Sequence, residues 1–136
     1  QVQEKKVAIE YPSDFPTVVC DRDRILQVFS NLLSNAIKYM GDNPKPKVEI
    51  GYRDEGDEYV FFVKDNGIGI DPKYHKKIFD LFQSLKEVKN VEGTGVGLTI
   101  VKRIIENHRG RVWVESEKGK GATFYFTIPK NLKSPV

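Results

Sequence analysis

Val63-Lys64-Asp65-Asn66-Gly67-Ile68-Gly69-Ile70-Asp71 is the stretch on which the reading of the whole chain turns. The β-prone run Tyr59 to Val63 leads into one acid, and two glycines follow, one residue apart. Asp71-Pro72 then supplies an N-cap residue and a proline suited to the first helical position. The acid therefore sits where a strand hands over to a turn and then to a helix. Without a Cβ, the glycines let the backbone come close to something flat or charged. A carboxylate fixed there can accept a hydrogen bond from an exocyclic amine, such as the amino group of adenine. By itself Asp-Asn-Gly reads first as a hairpin turn, because short glycine motifs recur by chance. The rest of the chain decides between the two.

At 136 residues the chain is long enough for one domain with a real core. Hydrophobic residues at 39% and charged residues at 30% fit a soluble globular protein. A net charge of +3, spread along the chain, argues against a nucleic-acid partner, which calls for a clustered basic face. Cys20 is single, so no intrachain disulfide can form, and it reads as a small core residue. No apolar run is long enough to span a bilayer and no signal peptide is present, so a cytoplasmic location is expected. The chain opens on Gln1 rather than methionine, which suggests a piece of a longer protein.

Upstream of the central stretch, Lys5 to Tyr11 and Thr17 to Cys20 are short β-prone runs separated by Pro12 and Pro16. A helix is predicted from Asp21 to about Met40, with Ile25, Leu26, Phe29, Leu32, Leu33, Ala36 and Ile37 as its apolar face. Asn31, Asn35 and Lys38 are expected on the opposite face. Asparagine is a mediocre helix former, so two of them aligned with a lysine suggest a ligand set rather than an ordinary solvated stripe. An amide oxygen can coordinate Mg²⁺, and an ammonium can meet a phosphate. Lys47 to Arg53 and Glu58 to Lys64 read as a β-hairpin.

Downstream, Pro72 to Phe82 is predicted as a short helix with Ile78, Phe79 and Phe82 toward the core, and His75 as a solvated residue on it. Residues 83–92 are polar and aperiodic and read as a lid. They lead into Gly93-Thr94-Gly95-Val96-Gly97-Leu98 and a helix from Thr99 to about His108. Glycines entering a helix N-terminus make an anion site from free backbone N–H groups and the helix dipole. His108 is expected to suit that helix's C-terminal end as a cation. Arg111 to Glu117 and Ala122 to Ile128 are two further strands, with Trp113 in or near the core. Residues 130–136 form a tail.

Five stretches together resemble the catalytic domain of sensor histidine kinases. Asn31-Leu32-Leu33-Ser34-Asn35-Ala36-Ile37-Lys38-Tyr39 is similar to the N box, Asp65-Asn66-Gly67-Ile68-Gly69 to the first glycine box, and Ile78-Phe79-Asp80-Leu81-Phe82 to the F box. Gly93 to Leu98 resembles the second glycine box, and Gly119-Lys120-Gly121-Ala122-Thr123-Phe124 the closing segment. The run Phe82 to Leu85 resembles the phytochrome-like and PAS-linked branch. The resemblance covers about residues 5–129 and implies the Bergerat ATP-binding fold, an α/β two-layer sandwich with a mixed sheet and helices on one face.

The resemblance also implies roles. Asp65 would accept from the adenine amine, directly and through a water shared with Thr123. Asn35 would be the protein ligand of Mg²⁺. Asn31, Lys38 and Tyr39 would line the phosphate side, with Ile70 and Phe82 among the nucleotide contacts. Gly67 and Gly69 would let adenine approach. Gly93, Gly95 and Gly97, with Thr94, Val96 and Leu98, would hinge the lid and present N–H groups to the phosphates.

Two departures from the family pattern stand out. Ala122 replaces a frequent serine, and Arg109-Gly110 replaces Gly-Gly, which asks Arg109 for a glycine-like turn. His75 and His108 lie outside the His-Glu/Asp context of a phosphoacceptor, so that histidine is expected on a dimerisation hairpin absent from this chain. The implied cofactors are ATP and Mg²⁺. The implied partners are that hairpin and a response regulator, with a homodimer for the full-length protein and a monomer for this chain. The alternatives are a related ATPase or serine kinase, or a degenerate nucleotide-sensing module. The first needs a glutamate general base where this chain has Asn31, an amide that takes no proton at neutral pH.

Overall fold

Asp21 starts the first helix by capping it. Its backbone is extended (φ −77°, ψ 106°) and its carboxylate accepts from the Arg24 N–H at 3.2 Å. The helix, α1, runs Arg22–Lys38. These features come from a computed structural model, which describes residues 7–79 and 94–131. The strands are β1 (Ala8–Glu10), β2 (Lys47–Asp54), β3 (Glu58–Asp65), β4 (Val112–Ser116) and β5 (Ala122–Pro129), and the second helix, α2, is Thr94–Asn107. They form a mixed five-stranded sheet in the order β1-β2-β3-β5-β4. Only β1 pairs in parallel, with β2; the remaining pairs are antiparallel.

Helices α1 and α2 pack together on one face of the sheet, the two-layer arrangement expected. Val28, Leu32 and Ala36 of α1 and Leu98, Val101 and Ile105 of α2 meet Val48, Phe61, Val63, Val114, Phe124, Phe126 and Ile128 from the strands. Each large side chain buried there contributes about 1.5–3 kcal/mol. The predicted apolar stripe of α1 is displaced by about one position. Val28, left out of it, is fully buried, whereas Leu26, included in it, is 56% exposed. At about 100° per residue, a face centred near Val28 and Leu32 also takes in Asn35 and leaves Leu26 on the far side.

Other expectations need correction. Thr17–Cys20 forms no strand, and β1 is confined to three residues, because Pro12 and Pro16 cannot donate to a ladder. Of the helix expected from Pro72, the described part is two 3-10 turns, Pro72–Tyr74 and Lys77–Phe79. Trp113 lies on the sheet face away from the helices. It stacks on Tyr125 at 5.1 Å between centroids, with the Arg111 guanidinium 5.1 Å from its ring. Strand alternation puts it there, since Val112 and Val114 take the core-side positions.

Candidate nucleotide site

Asp65 is the last residue of β3 and is only 7% exposed. Its Oδ1 accepts from the Gly67 N–H at 2.9 Å and from the Ala122 N–H at 3.3 Å. Burial raises its pKa, and the two N–H donors oppose that rise. The carboxylate is thus oriented by backbone rather than by a cation. It is poised to accept from a neutral donor such as a heterocyclic amine.

The loop after Asp65 is held from two directions. On one side the Ile68 N–H donates to the Tyr39 carbonyl at 3.0 Å, tying the loop to the end of α1. On the other the Gly119 N–H donates to the Ile68 carbonyl at 2.6 Å, and the Ile70 N–H donates to Ser116 Oγ at 2.7 Å. Ser116 Oγ in turn donates to the Gly121 carbonyl at 2.7 Å. Asn66 clamps the β2 approach, accepting from the Lys47 N–H at 2.8 Å and donating to the Lys45 carbonyl at 2.9 Å.

These contacts change the reading of the glycines. A Cβ on Gly67 would lie 2.4 Å from the Tyr39 carbonyl oxygen. One on Gly69, whose φ is +76°, would lie 2.0 Å from the Glu117 carbonyl oxygen. What demands glycine at both positions is the chain's own backbone, not an approaching ring. Gly121 has the same constraint, with the Asp65 carbonyl oxygen 2.1 Å from its would-be Cβ. The closing glycine segment therefore buttresses the first glycine box.

Asn35 does not lie on a solvated face opposite the core. It is 8% exposed on the flank of the buried stripe, and its buried Oδ1 has no hydrogen-bond partner among the described residues. Asn31 is half-buried and donates to the Gly97 carbonyl at 3.4 Å, which joins α1 to the first turns of α2. Lys38 ends α1 and is exposed, and Tyr39 follows as its C-cap. The second glycine box is not a loop up to Thr99, because α2 begins at Thr94. Gly95, Val96 and Gly97 are helical, so the N–H groups left over at the N-terminus of α2 are the anion donors available there.

Several expected residues fall elsewhere. Thr123 pairs with Lys64, whereas Ala122 pairs with Asp65. Alternation thus puts the Thr123 hydroxyl on the sheet face opposite Ala122, away from the Asp65 carboxylate. Leu98 is 3% exposed in the core rather than at the site. Ile70 packs partly buried at the edge of that core. His75 is half-buried rather than solvated, its Nε2 3.1 Å from the Ile70 carbonyl. Phe82, Gly93 and the lid at 83–92 lie outside the described residues. Ser116 was missed altogether, since nothing local marks one serine at a strand end.

The fold thus sets a buried, backbone-held carboxylate, Asp65, near one end of α1, where Asn35 and Asn31 face the first turn of α2. The model of histidine kinase-, DNA gyrase B- and HSP90-like ATPases matches residues 20–132. The chain belongs to this ATPase family. Within the family it is 48% identical over 129 residues to the methanogenesis regulatory histidine kinase FilI of Methanothrix harundinacea (strain 6Ac), which covers 95% of this chain and 14% of that protein. It is 52% identical over 114 residues to cyanobacterial phytochrome A of Nostoc sp. (strain PCC 7120 / SAG 25.82 / UTEX 2576), over 84% of this chain and 15% of that protein. The chain thus spans a small part of these relatives. The nucleotide-free catalytic domain of histidine kinase ThkA matches with a TM-score of 0.78 at 33% identity, covering 95% of this chain and 82% of that one. The ATPase family implies ATP as the nucleotide, and the chain is the ATP-binding catalytic domain of a histidine kinase. No helix among the described residues is long and apolar enough to cross a membrane.

Proposed function

We propose that this domain holds Mg-ATP and offers the γ-phosphate to a histidine on a dimerisation hairpin that precedes it in the whole protein. The observation that carries the reading is the pairing of buried, backbone-held Asp65 with the orphaned Oδ1 of Asn35 at the phosphate end of α1. Asp65 accepts from the adenine amine. Guanine presents a carbonyl oxygen at that place and is rejected. Asn35 Oδ1 fits a hard cation, because a buried amide oxygen without a donor is otherwise costly. Bound Mg²⁺ would neutralise charge on the phosphate oxygens.

The remaining parts position the triphosphate. Lys38 supplies an exposed cation at the end of α1, and the N-terminus of α2 supplies backbone N–H donors. Phosphoryl transfer asks mainly for such positioning and charge neutralisation. Asn31 has no basic group to activate water, and its Nδ2 is committed to Gly97. That favours a kinase over an ATPase that activates its own water. Histidine kinase ThkA has been solved in complex with response regulator protein TrrA. By analogy, a response regulator receives the phosphate downstream; we further infer a homodimer for the whole protein, with this domain on the cytoplasmic side.

The test is incubation with γ-labelled ATP. The isolated chain should bind Mg-ATP, hydrolyse it very slowly and leave itself unlabelled. Adding a matching dimerisation hairpin should put acid-labile, base-stable phosphate on that hairpin. Rapid hydrolysis by the bare domain, abolished by a substitution within it, would overturn the kinase reading.

A further inference from the structure

His108 is 1% exposed, among the most buried polar residues described. It does not sit at the end of α2 as a solvated cation. Its Nε2 accepts from the Asp21 N–H at 2.9 Å, across 87 residues of sequence, and its Nδ1 lies 2.8 Å from the Ile104 carbonyl. A nitrogen that accepts from an amide N–H carries no proton, so the proton is on Nδ1 and donates to Ile104. The ring is neutral and its tautomer is set by its partners.

The place of this bond matters. Asp21 is the N-cap of α1, and Ile104 belongs to the last turns of α2. Farther along, at the middle of α1, Asn31 donates to the Gly97 carbonyl in the first turn of α2. The two helices are therefore antiparallel and tied at two places by polar contacts, with the apolar core between. Only the Asn31 end carries the phosphate-side groups. The adenine end depends mainly on β3, Ala122 and the turn at 117–121, none of which His108 holds, and meets α1 only at its C-terminal end, through the Tyr39 carbonyl and Met40.

We propose that His108 is a positioning residue for the triphosphate half of the site. Its neutral Nδ1–H ring bonds the start of α1 to the end of α2. That bond fixes the register at which Asn31, Asn35 and Lys38 face the N-terminus of α2. The inference rests on the Mg-ATP reading above.

The test uses side-chain isosteres, with Mg-ATP and adenosine titrated separately. A glutamine amide oxygen reaches the place of imidazole Nε2, and an asparagine amide nitrogen reaches the place of Nδ1. His108→Gln keeps the acceptor for Asp21. His108→Asn keeps only the local bond to Ile104. His108→Gln should hold Mg-ATP affinity within about threefold, and His108→Asn should lose about tenfold, the worth of one hydrogen bond. His108→Asn should lose clearly less adenosine affinity than Mg-ATP affinity. His108→Asn binding Mg-ATP as well as His108→Gln would show that the histidine merely caps α2, and overturn the proposal. So would an equal loss for Mg-ATP and adenosine, which signals general loosening.

Should His108→Asn fail to fold, Asp21 makes the same test from the other side. At φ −77° proline is tolerated. Asp21→Pro deletes the N–H donor and the side-chain cap, and Asp21→Ala deletes the cap alone. Asp21→Pro should lose about tenfold more Mg-ATP affinity than Asp21→Ala, again one hydrogen bond. Equal losses would refute the proposal. A parent domain that prefers Mg-ATP no more than adenosine would instead sink the Mg-ATP reading itself.

Discussion

Asp65→Asn separates binding from folding at one atom. In the parent, Oδ1 takes both backbone bonds, from Gly67 and Ala122. An asparagine can keep both with its amide oxygen. What changes is the rest of the group, an acceptor in the parent and an NH₂ donor in the variant. Facing an adenine amine, donor meets donor. The loss is that of a hydrogen bond to a charged group, about 1.5–3 kcal/mol, or roughly 10- to 150-fold in Kd. Stability should move the other way. Burial raises the folded-state pKa of Asp65 above its ordinary 3.8. A raised carboxyl pKa means that folding favours the protonated form. The stability this brings is fully present below 3.8 and is lost as pH rises through the folded-state value. At pH 7 the parent holds a charge it has partly desolvated, and the variant does not. The variant should therefore melt no lower than the parent at pH 7, and the parent should gain on it as pH falls toward 3.8. Calorimetric titration with ATP and GTP, and thermal melts across that pH range, check both halves. Unchanged ATP affinity in the variant, or equal parent affinity for ATP and GTP, would refute the adenine assignment. A variant much less stable at pH 7 would show that the charge itself holds the loop.

Further outcomes follow from other parts of the site. Asn35→Ala should abolish the strengthening of ATP binding by Mg²⁺, measured by titration with and without the cation, and leave adenosine binding intact. Ser116→Ala leaves the Ile70 N–H and the Gly121 carbonyl without their partner, which should cost about 1–3 kcal/mol and speed amide exchange at Ile70. Gly69→Ala sets a Cβ against the Glu117 carbonyl at positive φ and should destabilise by more than about 2 kcal/mol in denaturant melts. Arg109 holds φ +64° as the residue after the cap of α2, with Arg109 N–H on the Glu106 carbonyl and Gly110 N–H on the Ile105 carbonyl. Arg109→Gly should therefore stabilise by about 1 kcal/mol, visible as a rise in melting temperature.

The sequence by itself determined the order of the two long helices and of the four longer strands. The cap at Asp21 and the periodicity after it place α1, and the alternation in β2, β3, β4 and β5 places those strands, because both signals are local and repeat every few residues. The spaced motifs also singled out Asp65 and Asn35, both of which the fold buries. The strained turn at Arg109 was legible too, because only a backbone preference was involved. Local signals do not say which partner a residue meets. The glycines of the first box looked like room for a ligand, and only the fold shows the Tyr39 and Glu117 carbonyls filling that room. Thr123 looked like a site hydroxyl, and only the register of β3 on β5 turns it to the far face. His108 looked like a cation suited to a helix end, and only packing brings the Asp21 N–H to its Nε2, which takes it as an acceptor. Each of these is a contact between residues far apart in the chain. Their chemistry is set by which backbone group arrives from elsewhere, and the tertiary structure alone decides that.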